Sequence, residues 1–222
     1  MGFIVDAFSI FGGGLIGGIF RKKIDIKNYS ALSIGIMLIS AIGLLENILS
    51  ISDGKIVGEH TVVVTLALVF GYFIGDALKL EDRISSISKN GFVDSVLFFG
   101  IGGLQISGPI LYAMEGDSFQ LILKGIIDFP FALVLGATHG KKVSLSAPVV
   151  LLMQLLIAAA AYFLGGFLSA NLLCQLCSLG YLILFFTGFN MICPPRYKIN
   201  NINIIPGILL IIIYNVILEV LF

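Results

Sequence analysis

The stretch SFQLILKGIIDFPFALVLGAT, residues 118–138, decides how the rest of the chain is read. It is long and apolar enough to cross a bilayer as a helix. At helical spacing it puts Lys124 and Asp128 on one face near mid-membrane, four residues apart, where they can pair. Each such charge costs roughly 2.5–3.5 kcal/mol on insertion scales. A span that keeps both needs a partner group or a water-filled cavity. Pro130 follows directly, lacks a backbone donor, and is expected to bend the helix just past the pair. An internal ion pair that only locks neighbouring helices is the alternative reading.

Composition supports a membrane setting. Hydrophobic residues make up 58% of the 222 and charged ones 12%, and the mean hydropathy is +1.08. Such values lie far from soluble-globular averages. Lys plus Arg and Asp plus Glu balance at 13 each, which argues for no polyanionic partner. No basic domain or aromatic platform is present, so no nucleic acid is expected. The length accommodates about eight spans of roughly 20 residues, leaving no soluble domain. The first apolar run lacks a basic start, so no cleaved signal peptide is expected. Cys174 and Cys177 form a C-x-x-C in an apolar stretch without the polar context of a zinc or redox site. Neither a metal nor a cofactor is expected.

Taken in order, the expected spans are 3–20, 31–50, 61–80, 92–114, 118–138, 145–168, 172–192 and 204–222. Residues 81–91 read as a short amphipathic surface segment. Span one ends on glycines at 12–14, 17 and 18, which let another backbone approach closely. They also suggest a homo-oligomer. Span four concentrates Gly100, Gly102, Gly103, Gln105, Ser107, Gly108 and Pro109. Such a density of breakers predicts an unwound or re-entrant segment, tolerated only where it is buried in protein or lines a cavity. A tightly packed, kinked helix is the alternative. Pro148 falls in the first turn of span six, where proline is tolerated.

Basic residues set the expected orientation. Loops after spans one, three, five and seven carry Arg21, Lys22, Lys23, Lys27, Lys79, Arg83, Lys89, Lys141, Lys142, Arg196 and Lys198, against Lys55 on the other side. This predicts an integral cell-membrane protein of bacterial inner-membrane type, with these loops cytoplasmic and both termini outside. There is also an internal echo. Ile16-Gly17-Gly18 leads to Lys22-Lys23, and Leu135-Gly136-Ala137 leads to Lys141-Lys142 at the same offsets. Spans one and five would then be equivalent, in parallel four-helix halves 1–116 and 117–222 of a single transmembrane domain.

The pattern resembles the bacterial "domain of unknown function 554" family of integral membrane proteins over nearly the whole chain. The resemblance is sharpest between Phe92 and Gln154: the F-V-x-S-x-L-F-x-G of Phe92 to Gly100, the I-x-G at Ile106 to Gly108, Gly116-Asp117, the K-x-x-x-D of Lys124 and Asp128, and Gln154. Asn190, Asn203 and Pro206 fit the family's closing features. Asp6 stands where the family has asparagine, Asp76 where it has glutamate, and Phe129 where glycine is frequent. The resemblance implies transport, the role generally ascribed to that family.

The functional expectation is therefore a membrane transporter of a small solute or ion. Its polar cavity would gather Asp128, Lys124, Gln105, Ser107, Asp76, Gln154, Asp6 and Asn190 from several spans beside the broken fourth helix. Asp128 would bind a cation or proton and Lys124 would be its resting partner or an anion contact. A passive channel, or a structural or regulatory subunit without transport, are the alternatives. An enzyme built on Asp94, Asp128 and His139 is not expected, because no H-E-x-x-H, G-x-S-x-G or aspartyl motif appears.

Overall fold

The computed structural model describes residues 1–21, 29–52, 55–58, 60–87, 91–100, 103–165 and 169–221. Lys22, Lys23, Lys27, Lys89 and Gly102 lie outside the described residues, as do the side chains of Asp94 and Glu219. The chain is helical because apolar surroundings offer no partner to backbone N–H and C=O, so each segment must bond to itself. The described helices are α1 (Gly2–Ile19), α2 (Tyr29–Ile48), α3 (Thr61–Ala77), α4 (Leu80–Ile87), α5 (Gly91–Gly100), α6 (Gly103–Glu115), α7 (Phe119–His139), α8 (Ser146–Leu164), α9 (Ala170–Ile192) and α10 (Pro206–Leu221). Between α2 and α3 a short antiparallel hairpin pairs β1 (Ser50–Ser52) with β2 (Lys55–Val57), Ile51 opposite Ile56. That hairpin was not anticipated, although the sequence Asp53-Gly54 between the two runs is a hairpin signal.

Among the described residues five helices are long and apolar enough to cross a membrane: α1, α7, α9, α8 with the turn before it, and α10 with the turn before it. The pair α5 and α6 forms a sixth candidate, its axes bent by 53°. The apolar runs Ser33–Ile48 and Thr61–Ala77 are shorter. Side chains such as Phe8, 70% exposed, and Phe163, 82% exposed, cover the outside of the bundle, as suits contact with acyl chains.

The expected fourth span is divided into α5 and α6 within its run of breakers, at the glycines rather than at the proline. Pro109 lies inside α6, and the interruption falls between Gly100 and Gly103. Likewise α7 runs unbroken past Pro130. Proline at either place removes a single intrahelical bond, and packing on neighbouring helices holds the remaining ones. Gly140, at φ 85, ends α7 and turns the chain into α8.

The tightest contact in the bundle joins α1 to α7. A side chain at Gly13 would stand 2.9 Å from the Ala132 Cβ, and one at Gly17 would collide with the Leu133 carbonyl. Gly2 meets Leu121, Gly125 meets Asp6, and Gly18 meets Lys141, so the two helices run parallel. Arg21 Nη2 donates to the Thr138 carbonyl at 2.7 Å, which places both basic exits at one end of the bundle. The glycine face of α1 is thus filled from within the chain. By contrast α2 and α9 run antiparallel, Gly43 against Tyr181 and Gly188 against Ser33, whose hydroxyl donates to the Gly188 carbonyl. One apolar core, around Ile10, Phe131, Val143 and Val150, lies beside the α1–α7 seam. A second, around Leu179, Ile183, Ile204 and Ile211, joins α9 to α3 and α10.

Candidate functional site

Four helices bring polar side chains to one buried point. Asp6 comes from the first turns of α1, Gln105 from the start of α6, Lys124 and Asp128 from one face of α7, and Gln154 from the middle of α8. Gly125 makes the meeting of α1 and α7 possible. A Cβ on it would lie 3.1 Å from the Asp6 Cα, so only a missing side chain lets the Asp6 backbone come so near. The Asp6 carboxylate then reaches the ammonium one position before that glycine.

The contacts are direct. Lys124 Nζ donates to Asp6 Oδ2 at 3.0 Å and, across one helical turn, to Asp128 Oδ2. Gln154 Nε2 donates to the same Asp6 Oδ2 at 2.6 Å and to Gln105 Oε1 at 3.2 Å. Asp6 and Gln154 are wholly buried and Lys124 is 4% exposed, while Asp128 is 7% exposed. Asp6 Oδ1, Gln105 Nε2 and Gln154 Oε1 are buried without a hydrogen-bond partner. Burial of ionic groups is tolerable only when each charge has its counter-charge and donors, so removing one member leaves the others strongly disfavoured.

Five of the eight expected residues therefore converge: Asp6, Gln105, Lys124, Asp128 and Gln154. Ser107 is buried two residues further along α6, where its hydroxyl donates to Gln120 Oε1 and ties α6 to α7 outside the triad. Asp76 is not in the cluster. It is exposed at the end of α3, which packs on α10 and the turn at Asn201–Ile204, and its carboxylate accepts from Asn203 Nδ2 at 3.5 Å. Asn190 is also elsewhere. It clamps the loop after α9, donating to the Ile199 carbonyl at 2.6 Å and accepting from the Ile199 N–H at 2.8 Å. Both positions sit at helix ends, where polar groups serve turns rather than the bundle interior.

A second buried polar chain went unnoticed in the sequence. Asn215 Nδ2 on α10 donates to Gln175 Oε1 on α9 at 2.7 Å, and Gln175 Nε2 lies 3.4 Å from His60 Nδ1 at the start of α3. Gln175 and Asn215 are amides in the interior of apolar helices, the same signal that singled out Gln154. His139 packs against Gly91 at the opposite end of the bundle from His60.

Comparison with known proteins agrees with the helical membrane architecture. "Uncharacterized membrane protein YdfK" of Bacillus subtilis (strain 168) is 26% identical over 219 residues, spanning 94% of this chain and 93% of that protein. "Uncharacterized protein YqgA" of Escherichia coli (strain K12) is 23% identical over 223 residues, spanning 95% and 94%. No solved structure matches the chain. Residues 1–216 match the family described as "Protein of unknown function (DUF554)". With the match extending over the whole bundle and the buried cluster inside it, the chain belongs to the DUF554 family.

Proposed function

We propose that the protein is a membrane transporter of a small solute or ion, operating through the cluster of Asp6, Gln105, Lys124, Asp128 and Gln154. One observation carries this reading: two carboxylates and an ammonium, drawn from two apolar helices, are held inside the bundle together with unpartnered amide and carboxylate atoms. Charge in such a place is costly, and where it is kept it usually marks a pathway for a solute or proton. The break between α5 and α6 beside Gln105 supports the same reading, since discontinuous helices often frame substrate sites.

In this reading α2, α3 and the bent pair α5–α6 join the five long helices as spans, about eight in all. The even number leaves both termini outside and the basic loops in the cytoplasm of a bacterial inner membrane. The parallel contact of α1 with α7 supports treating them as equivalent helices of two four-span halves. A homo-oligomer would use faces other than the α1 glycines, which α7 already fills. A passive channel is a close variant. Near-complete burial of the cluster favours one different reading, a structural or regulatory subunit in which the triad only locks helices together.

A tracer-uptake panel in proteoliposomes, across cations, small anions and amino acids, tests the proposal. Uptake of one class that is lost in Asp128→Asn and Lys124→Ala, with the fold preserved, is the expected result. Undiminished uptake in both variants, or none by the native chain, favours the locking role.

A further inference from the structure

Two carboxylates against one ammonium leave the Asp6, Lys124 and Asp128 triad short of one positive charge. The other side chains in hydrogen-bond reach, Gln154 and Gln105, are neutral. Among the described residues no further charge acts on Asp128: α1 contributes Asp6, α6 and α8 contribute amides, α5 meets α7 through Phe98 on Phe131 and through Gly91 at His139, and Lys141 and Lys142 lie in the turn beyond the far end of α7. A net negative charge so enclosed is strongly disfavoured in a medium of low dielectric constant. The missing charge must be found in the site itself.

We propose that it is a proton, that Asp128 carries it, and that the transporter is proton-coupled. The coupling rests on the transport reading above; the proton rests on the charge count and geometry. Asp6 is the poorer carrier. Its Oδ2 already accepts from both Lys124 and Gln154. Among the described residues Asp128 accepts from Lys124 and otherwise faces the Asp6 carboxyl, and its side chain is 10% exposed where that of Asp6 is 0%. It is the carboxylate at the edge of the cluster, within reach of a proton from outside. A metal cation fits less well. It would need a cage of oxygens, whereas among the described residues the cluster holds two buried acceptors without a partner, Asp6 Oδ1 and Gln154 Oε1, and Lys124 Nζ bonds to both carboxylates.

The step is simple and balanced. An O–H bond forms on Asp128 with a proton released by water on one side of the membrane, and breaks to return that proton to water on the other. Lys124 keeps its three protons throughout and Asp6 stays an anion, so nothing is oxidised or reduced.

Infrared difference spectroscopy of the purified full chain in lipid nanodiscs tests this. The expected result is a protonated carboxylic-acid C=O band near neutral pH that shifts on 13C-aspartate labelling and disappears on alkalinisation. Its frequency moves in Asp128→Glu and stays put in Asp6→Glu. The band is lost in both Asp128→Asn and Asp6→Asn, because either change restores neutrality to the triad. In Lys124→Gln it persists to higher pH. Absence of the band in a folded native chain, or a frequency that follows Asp6→Glu instead, overturns the proposal. A band on Asp128 sustains the proton even if the tracer panel shows no uptake, and its absence sinks the proton even if uptake is found, so the two readings fail separately.

Discussion

Gln154 Nε2 donates to Asp6 Oδ2 at 2.6 Å, joining α8 to the first turns of α1 through the carboxylate that also holds Lys124. The amide therefore supports a charged group rather than filling space. Gln154→Leu strips one donor from a buried anion and leaves Gln105 Oε1 without its partner. We expect a loss of about 1.5–3 kcal/mol, the usual range for hydrogen bonds to charged groups, read as a lower unfolding midpoint in detergent. Gln154→Glu adds a third carboxylate and should destabilise more; equal or greater stability in either variant would contradict the assigned role.

The α1–α7 seam gives a test with an internal control. Gly17→Ala drives a methyl into the Leu133 carbonyl and should cost about 1–3 kcal/mol as the helices are forced apart. At Gly35 on α2 an added methyl would meet nothing within 4 Å, so Gly35→Ala should be neutral or stabilise by up to about 1 kcal/mol through helix propensity. Thermal unfolding of the two variants side by side decides the matter.

Asn190 and Asp76 should separate from the cluster by experiment as they do in space. Asn190→Ala frees both backbone groups of Ile199 and should lower stability by about 1–3 kcal/mol while exposing the loop after α9 to protease. Asp76→Asn, at an exposed helix end, should stay within about 0.5 kcal/mol of the native chain. Neither should abolish uptake; loss of uptake in Asp76→Asn with stability intact would restore that residue to the site.

Glu81, on the short helix α4, supplies a pH dependence. Partial burial pushes its carboxyl above the ordinary 4.5, and Asp82 adds to this, while a hydrogen bond with the Ile202 backbone works the other way. A raised folded value means that the protonated form is the better tolerated one. Its contribution to stability is full below pH 4.5 and is lost as pH rises through the raised value. Glu81→Gln should therefore match the native chain in acid and exceed it at neutral pH. Unfolding midpoints across that window check it.

Much of this architecture could be read from residue order alone, because apolar length is a strong signal and buried charge is rare enough to be noticed. Lys124, Asp128, Gln105, Gln154 and Asp6 all stood out as polar groups inside apolar runs. Their convergence was harder to read. It depends on which helices are neighbours, and that is decided by contacts such as Gly125 against Asp6, between residues more than a hundred positions apart. Asp76 misled for the same reason: on sequence it resembles Asp6, yet α3 belongs to the α9–α10 side of the bundle. The hairpin and the amide chain of Gln175 and Asn215 left signals that were present but weak, a turn dipeptide and two isolated amides.

The parallel seam between α1 and α7 also bears on how the molecule is made. Asp6 leaves the ribosome 118 residues ahead of Lys124, so for most of synthesis the first helix must shelter a carboxylate whose cation does not yet exist. The ion pair between α1 and α7 therefore cannot close until α7 has been made. A nascent chain halted before α7 would keep that acid bare, and so carry its own mark of incompleteness for the cell's quality control to read.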